Sequence, residues 1–270
     1  DPNLIREHYQ TEKNKKSFDL KKFIISNFIL PEETKVAIDL PEKRTMREHI
    51  QILWQVLKRE ALSEVSKHST LIPIPNPYII PGGRFREIYY WDSYFTLHGL
   101  LADGEIETVE NMIDNFSYLI EETGFIPNGN RVYYLSRSQP PFFAPMIDLV
   151  CRFKNDYARG LKYLHVLEKE YSFWCSHNTK EGSNIRIVKL PDGKFLNRYF
   201  DSEKLPREES YLEDIQTAQS FTAEEKPNLY QNIRSACESG WDFSSRWFRD
   251  EKSLSACIAS DILPVDLNSL

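Results

Sequence analysis

Two aspartates in this sequence stand beside tryptophans in stretches crowded with arginine and aromatic residues. Asp92 follows the run Pro81-Gly82-Gly83-Arg84-Phe85-Arg86-Glu87-Ile88-Tyr89-Tyr90-Trp91, and Asp242 follows Ser239-Gly240-Trp241. A carboxyl group in apolar surroundings resists ionisation and can hold a proton for delivery, while arginine forks and indole faces suit the hydroxyls and ring of a sugar. Glycoside hydrolysis asks for such a set: one protonated carboxyl to release the leaving oxygen, one ionised carboxylate to activate water or attack, and polar groups to grip the substrate. Taken alone, each aspartate also fits a simpler role, Asp92 as a helix N-cap and Asp242 as a turn or capping residue.

The elements that must carry these residues read as helical hairpins with long loops. Thr45 and Glu48 have capping-box spacing, and Ile50, Leu53, Trp54 and Leu57 then recur at helical intervals, which predicts a helix to about Ala61. Pro73, Pro75, Pro77 and Pro81, with Gly82 and Gly83, force residues 69–91 into an extended loop. Asp92 can cap a helix through Leu101. Asp103 and Gly104 break it, and Ile106, Val109, Ile113, Phe116 and Ile120 mark a second helix ending at Gly124. Pro140 or Pro141 can open a third helix to about Phe153. Asp156 begins a fourth through about Cys175, with Tyr157, Leu161, Leu164, Tyr171 and Trp174 on one side. Arg186–Leu190 and Phe195–Tyr199 flank Asp192-Gly193 as a β-hairpin, and helical patterning returns over Glu208–Gln219 and Asn228–Glu238. Residues 1–44 are charged and irregular apart from an apolar patch at Phe23, Ile24, Ile25, Phe28 and Ile29. They are expected to form an N-terminal arm or short helix ahead of a main body over 45–270.

Composition bounds the possible partners. The 270 residues can bury one substantial core, and an aromatic content of 13% supplies rings for stacking as well as packing. A net charge of -6 leaves no basic footprint, so no nucleic acid is expected. No apolar stretch approaches the ~20 residues that cross a bilayer, so no membrane is expected either. Asp1 begins no positively charged, apolar secretion signal. The expected location is therefore cytoplasmic, or periplasmic or secreted if a signal peptide was removed. Cys151, Cys175, Cys237 and Cys257 are widely spaced, and no histidines stand at metal-ligand spacing, so neither a metal nor an organic cofactor is expected.

The run from Pro81 to Tyr94 resembles the first conserved motif of the family 37 trehalases, PGGRFxExYxWDxY, at every specified position. Pro127-Asn128-Gly129-Asn130-Arg131, Tyr133 to Pro141, Glu238 to Trp247 and Pro264 to Asn268 resemble further trehalase blocks in the same order. The resemblance implies an all-α fold, part of an (α/α)6 toroid of helical hairpins, here incomplete, with a small inserted β-hairpin. It implies an inverting enzyme that splits trehalose into two glucose molecules, with Asp242 as general acid. It also implies that Arg84, Trp91, Asp92, Asn128, Arg137, Ser138, Gln139 and Gly240 line the sugar pocket. Arg207 and Glu209 match a further family segment, with a surface salt bridge as the competing role for that pair.

One departure stands out. Family members place the general base, a QWDxPxxW motif and a Gly-rich lid downstream of the block at Pro264–Asn268, and none of these occurs here. Inversion needs a base about 6.5 to 9.5 Å from the acid to activate water. Glu87 and Glu209 are conceivable stand-ins. The missing C-terminal half of the same polypeptide is the expected partner, and this chain alone is expected to be inactive. The alternative is a sugar-binding or regulatory remnant of a trehalase that does not hydrolyse.

Overall fold

The computed structural model describes residues 1–28, 30, 43–61, 65–175 and 185–270. They fall into two compact units, Asp1–Val56 with Ser66–Ser69, and Leu57–Val65 with Thr70–Leu270.

In the first unit, α1 (Pro2–Glu12) opens on Asp1, whose carboxylate accepts the Asn3 N–H at 2.8 Å. α2 (Leu20–Asn27) opens on Asp19 in the same way, accepting the Lys22 N–H at 3.1 Å. Each cap satisfies an otherwise orphan amide. Phe23 brings the two together, its ring 5.2 Å from His8 and 5.6 Å from Tyr9. Of the apolar patch, Ile25 and Phe28 are exposed, and Ile29 lies outside the described residues. α3 (Met46–Leu57) begins with the predicted capping box: Glu48 N–H donates to Thr45 Oγ1 at 3.3 Å, and Glu48 Oε2 accepts the Thr45 N–H at 2.7 Å. It stops short of Ala61, because the next two residues form β1 (Lys58–Arg59), antiparallel to β2 (Tyr78–Ile79).

The second unit is built of helical hairpins. α4 (Tyr90–Ala102) turns at Asp103-Gly104 into α5 (Ile106–Thr123), which ends on Gly124 in the left-handed conformation, with its N–H on Ile120 O. α6 (Phe143–Lys154) begins two residues beyond the Pro140-Pro141 pair. Leu97, Leu100, Val109, Met112, Phe116, Phe143 and Met146 are almost wholly removed from water where these helices meet. Each such side chain contributes about 1.5–3 kcal/mol.

The next segment departs from the reading of its periodicity. Asp156 does cap a helix, but of the 3-10 type over Tyr157–Tyr163, and only then does α7 (Leu164–Cys175) begin. A 3-10 turn advances three residues per turn, so a 3.6-residue stripe does not carry through it. Tyr157, Leu161, Leu164 and Tyr171 are exposed, and the buried set is Tyr163, Val166, Glu170 and Trp174.

β3 (Ile187–Lys189) and β4 (Phe195–Asn197) form the predicted hairpin with Ile187 opposite Asn197. α8 (Tyr211–Thr217) and α9 (Lys226–Glu238) complete the regular structure. From Leu229 to Glu238 every residue of α9 is buried, its polar ones included. Around it pack Trp174, Tyr199 and Trp247. Several polar groups of α9 find internal partners: Asn232 Oδ1 accepts from Ser260 N at 2.9 Å, and Gln231 Nε2 donates to Asp201 O at 3.1 Å, whereas Arg234 Nη1 is buried without a hydrogen bond and lies 3.7 Å from Asp201.

Candidate active site

A cavity of about 410 Å³ opens in the second unit among the loops that precede α4, α6 and α8 and the one that follows α9. Its wall begins with the turn at Gly82–Phe85, where Gly82 at φ 104° exchanges backbone hydrogen bonds with Phe85. That turn presents Arg84, whose guanidinium lies 4.9 Å from the Phe85 ring centroid.

The first turn of α4 supplies Trp91 and Asp92. The N-cap position belongs to Tyr89, so the predicted capping role of Asp92 is corrected: the helix starts earlier, and the carboxylate faces the cavity from within its first turn. The loop over residues 126–139 is stapled alongside. Tyr90 N–H donates to Asn128 O at 3.3 Å, Asn128 N–H donates to Arg137 O at 3.1 Å, and Trp91 N–H donates to Gln139 Oε1 at 3.1 Å. These bonds hold Asn128, Arg137 and Gln139 on the cavity wall.

Two arginines form its charged floor, and both are held by carboxylates. Arg137, 1% exposed, reaches Glu209 at 2.6 Å and Asp201 at 3.4 Å and lies 5.0 Å from the Tyr134 ring centroid. Arg207 holds Asp214 at 2.6 Å, rests 5.0 Å from the Phe243 centroid and donates from Nη1 to Cys237 Sγ at 3.2 Å.

Asp242 enters from the loop that leaves α9. Its carboxyl stays open to the cavity, yet the surrounding wall desolvates it and pushes its pKa above the usual carboxyl value. Arg207 and Arg137 oppose that rise, and the like charge of Asp92 adds to it. Asp92 is raised as well, almost wholly by burial. Among the described residues neither aspartate takes part in an ion pair, unlike the other cavity carboxylates. Glu87 is tied to Arg131 at 2.7 Å, and Glu209 to Arg137. The cavity therefore offers two carboxyl groups biased toward the protonated form beside fixed cationic donors, an arrangement suited to handing a proton to an oxygen of a neutral polyhydroxylated molecule.

Every residue singled out from the sequence borders this cavity except Ser138. The Ser138 hydroxyl donates to Ile126 O at 2.6 Å, and its N–H donates to Glu238 Oε1 at 2.8 Å, so it braces the loop from behind. The sequence did not single out Tyr89, Tyr133, Tyr134 or Cys237 for the wall. The aromatics lie inside the blocks already quoted, so adjacency was the available signal. Cys237 had none, since a cysteine on a helix reads as core.

The trehalase family description matches this chain over residues 2–270. The chain belongs to the trehalase family. The periplasmic trehalase of Citrobacter koseri is 48% identical over 273 residues, covering 100% of this chain and 47% of that relative. An Escherichia coli periplasmic trehalase is 47% identical, with 100% and 48% covered. The chain thus spans about half the length of the curated relatives it matches. The neutral trehalase Nth1 from Saccharomyces cerevisiae superposes with a TM-score of 0.56 at 27% identity, covering 85% of this chain and 44% of that one. The fold is the all-α trehalase one, helical hairpins of an (α/α)6 toroid, with two small antiparallel strand pairs among the described residues. Among the described residues no helix is long and apolar enough to cross a membrane, and no group of three or more His, Cys, Asp or Glu could hold a metal ion.

Proposed function

We propose that the trehalase polypeptide containing this chain cleaves α,α-trehalose into two glucose molecules with inversion. Asp242 acts as the general acid that protonates the bridging oxygen. The observation carrying this reading is the raised, unpaired carboxyl of Asp242 in a cavity of about 410 Å³ that it shares with Trp91, Arg84 and two anchored arginines. That size suits a small ligand, and planar guanidinium groups suit vicinal hydroxyls.

In this reading Arg84, Trp91, Asp92, Asn128, Arg137, Gln139, Arg207, Glu209 and Gly240 hold the sugars, while Ser138 steadies the loop that carries three of them. Residues 45–270 supply this share of the catalytic domain. The base comes from the remaining half of the polypeptide, because Glu87 and Glu209 are engaged in ion pairs and are poorly placed to take a proton from water. The names of the bacterial relatives favour a periplasmic location, and the cytoplasmic expectation gains no support from them.

A glucose-release assay with trehalose, run on this chain and on the full-length polypeptide side by side, tests the proposal. The full-length protein should release two glucoses per trehalose, with the β-anomer appearing from one of them, and this chain should bind trehalose without cleaving it. Binding without cleavage by both would favour the non-hydrolysing remnant instead.

A further inference from the structure

Asp214 is wholly buried on α8 and is absent from the cavity wall, yet its two oxygens are occupied by Arg207. Arg207 donates to it from the backbone N–H at 2.8 Å, from Nε at 3.0 Å and from Nη2 at 2.6 Å. The third guanidinium corner, Nη1, points at Cys237 Sγ, a weak acceptor on the cavity wall. Arg137 differs, being shared between Glu209 and Asp201. Among the described residues Asp214 is therefore the one ion-pair partner of Arg207.

We propose that Asp214 is a positioning residue that holds the Arg207 guanidinium against the cavity floor and offsets part of the positive field that Arg207 casts on Asp242. The proposal rests on Asp242 being the proton donor. A cation beside a carboxyl favours its ionised form, and an acid that must arrive protonated is harmed by an unbalanced one.

The other groups facing Asp242 leave this task to Asp214. Glu209 is paired with Arg137, Asp92 is a like charge, and burial pushes the Cys237 thiol up to about 12, so it carries no charge at neutral pH. Tyr230 and Tyr211 also stand near this charge, and burial raises Tyr230, with Asp214 and Tyr211 adding to the rise. Neither phenol can replace a carboxylate as counter-ion.

The test is a carbon-13 carboxyl titration of the aspartate-labelled chain, with the Asp242 signal assigned by its loss in Asp242→Asn. In Asp214→Asn the Asp242 titration should move down by about one unit. The alkaline limb of trehalose hydrolysis by the full-length protein should move down with it, because activity is lost as the acid ionises. Asp214→Glu, which keeps the charge, should restore most of both. Should Asp214→Asn fail to fold, the double variant Arg207→Met/Asp214→Asn removes the pair together, which buried ion pairs tolerate better than loss of one partner. In that variant Asp242 should titrate within a few tenths of a unit of the wild type. An unmoved Asp242 titration in folded Asp214→Asn, or a rise of about one unit in the double variant, overturns the inference. Failure of the full-length protein to release glucose would overturn the proposed function and leave the titration to stand by itself.

Discussion

The indole of Trp91 occupies the space that a side chain at position 240 would need: a Cβ built on Gly240 would lie 2.4 Å from Trp91 Cε2 and 2.6 Å from Nε1. Gly240 also sits at φ +69°, and its N–H donates to Cys237 O at 3.2 Å. One residue thus satisfies two constraints, a left-handed turn out of α9 and contact with a ring on α4, and the loop it shapes delivers Asp242 to the cavity.

Gly240→Ala should accordingly displace either Trp91 or the Asp242 loop. We expect a stability loss of about 1–3 kcal/mol by chemical denaturation. Trehalose hydrolysis by the full-length protein should fall by about a hundredfold, since a shift of about 1 Å at a reacting group is enough for that. A variant with wild-type kcat/KM would show that the contact positions nothing.

Asp242→Asn removes the proposed proton donor and keeps the shape. The rate of glucose release should fall by about 10²–10⁴-fold with little change in KM. The melting temperature should hold or rise, because the native state no longer has to desolvate this carboxylate. Substantial turnover by a well-folded variant would place the acid elsewhere.

Arg84→Lys tests the cavity mouth. The Arg84 guanidinium lies 4.9 Å from the Phe85 ring centroid and can present a planar fork, which an ammonium cannot reproduce. A loss of about tenfold or more in kcat/KM is expected, consistent with about 1.5–3 kcal/mol for a hydrogen bond to a charged donor. Near-normal kinetics would remove Arg84 from the sugar contacts.

Glu170 predicts a pH dependence of stability. It is buried on α7 and accepts a short hydrogen bond from the Tyr90 hydroxyl, which in turn accepts the Phe143 N–H. Burial raises its pKa from 4.5 to about 7, with the Tyr90 bond opposing the rise. The folded state therefore keeps a proton that the unfolded chain releases earlier. Its contribution is fully present below about pH 4.5 and is lost as pH rises to about 7, a loss of about 3 kcal/mol, after which it levels off. Glu170→Gln keeps the acceptor for Tyr90 and should flatten that fall, leaving the variant more stable than wild type at pH 8 in urea titrations. Parallel pH profiles for the two proteins would refute the assignment.

Much of the architecture was legible because it is local. The Thr45–Glu48 capping box, the Gly124 terminus and the Asp192-Gly193 hairpin turn are each decided by residues within a few positions of one another, and the structure forms all three. The reading failed where geometry changed inside an element. A 3-10 turn at Tyr157–Tyr163 rotated the stripe leading into α7, and an earlier start to α4 put Asp92 inside the helix.

The sequence alone determined which residues were candidates for sugar chemistry and which helices would carry them, because short-range patterns and motif order are written in the chain. Only the tertiary structure decided their neighbours. Arg137 meets Glu209 across 72 positions and Ser138 meets Glu238 across 100, and no periodicity encodes such pairs. It also decided that the polar face of α9 would be buried. Ser235, Gln231 and Glu238 can leave water there because folding brings Asp201, Ser138, Arg186 and Phe200 within hydrogen-bond reach. Burial of a charge or an amide is set by the partners that distant segments supply, and those partners exist only once the chain has closed around them.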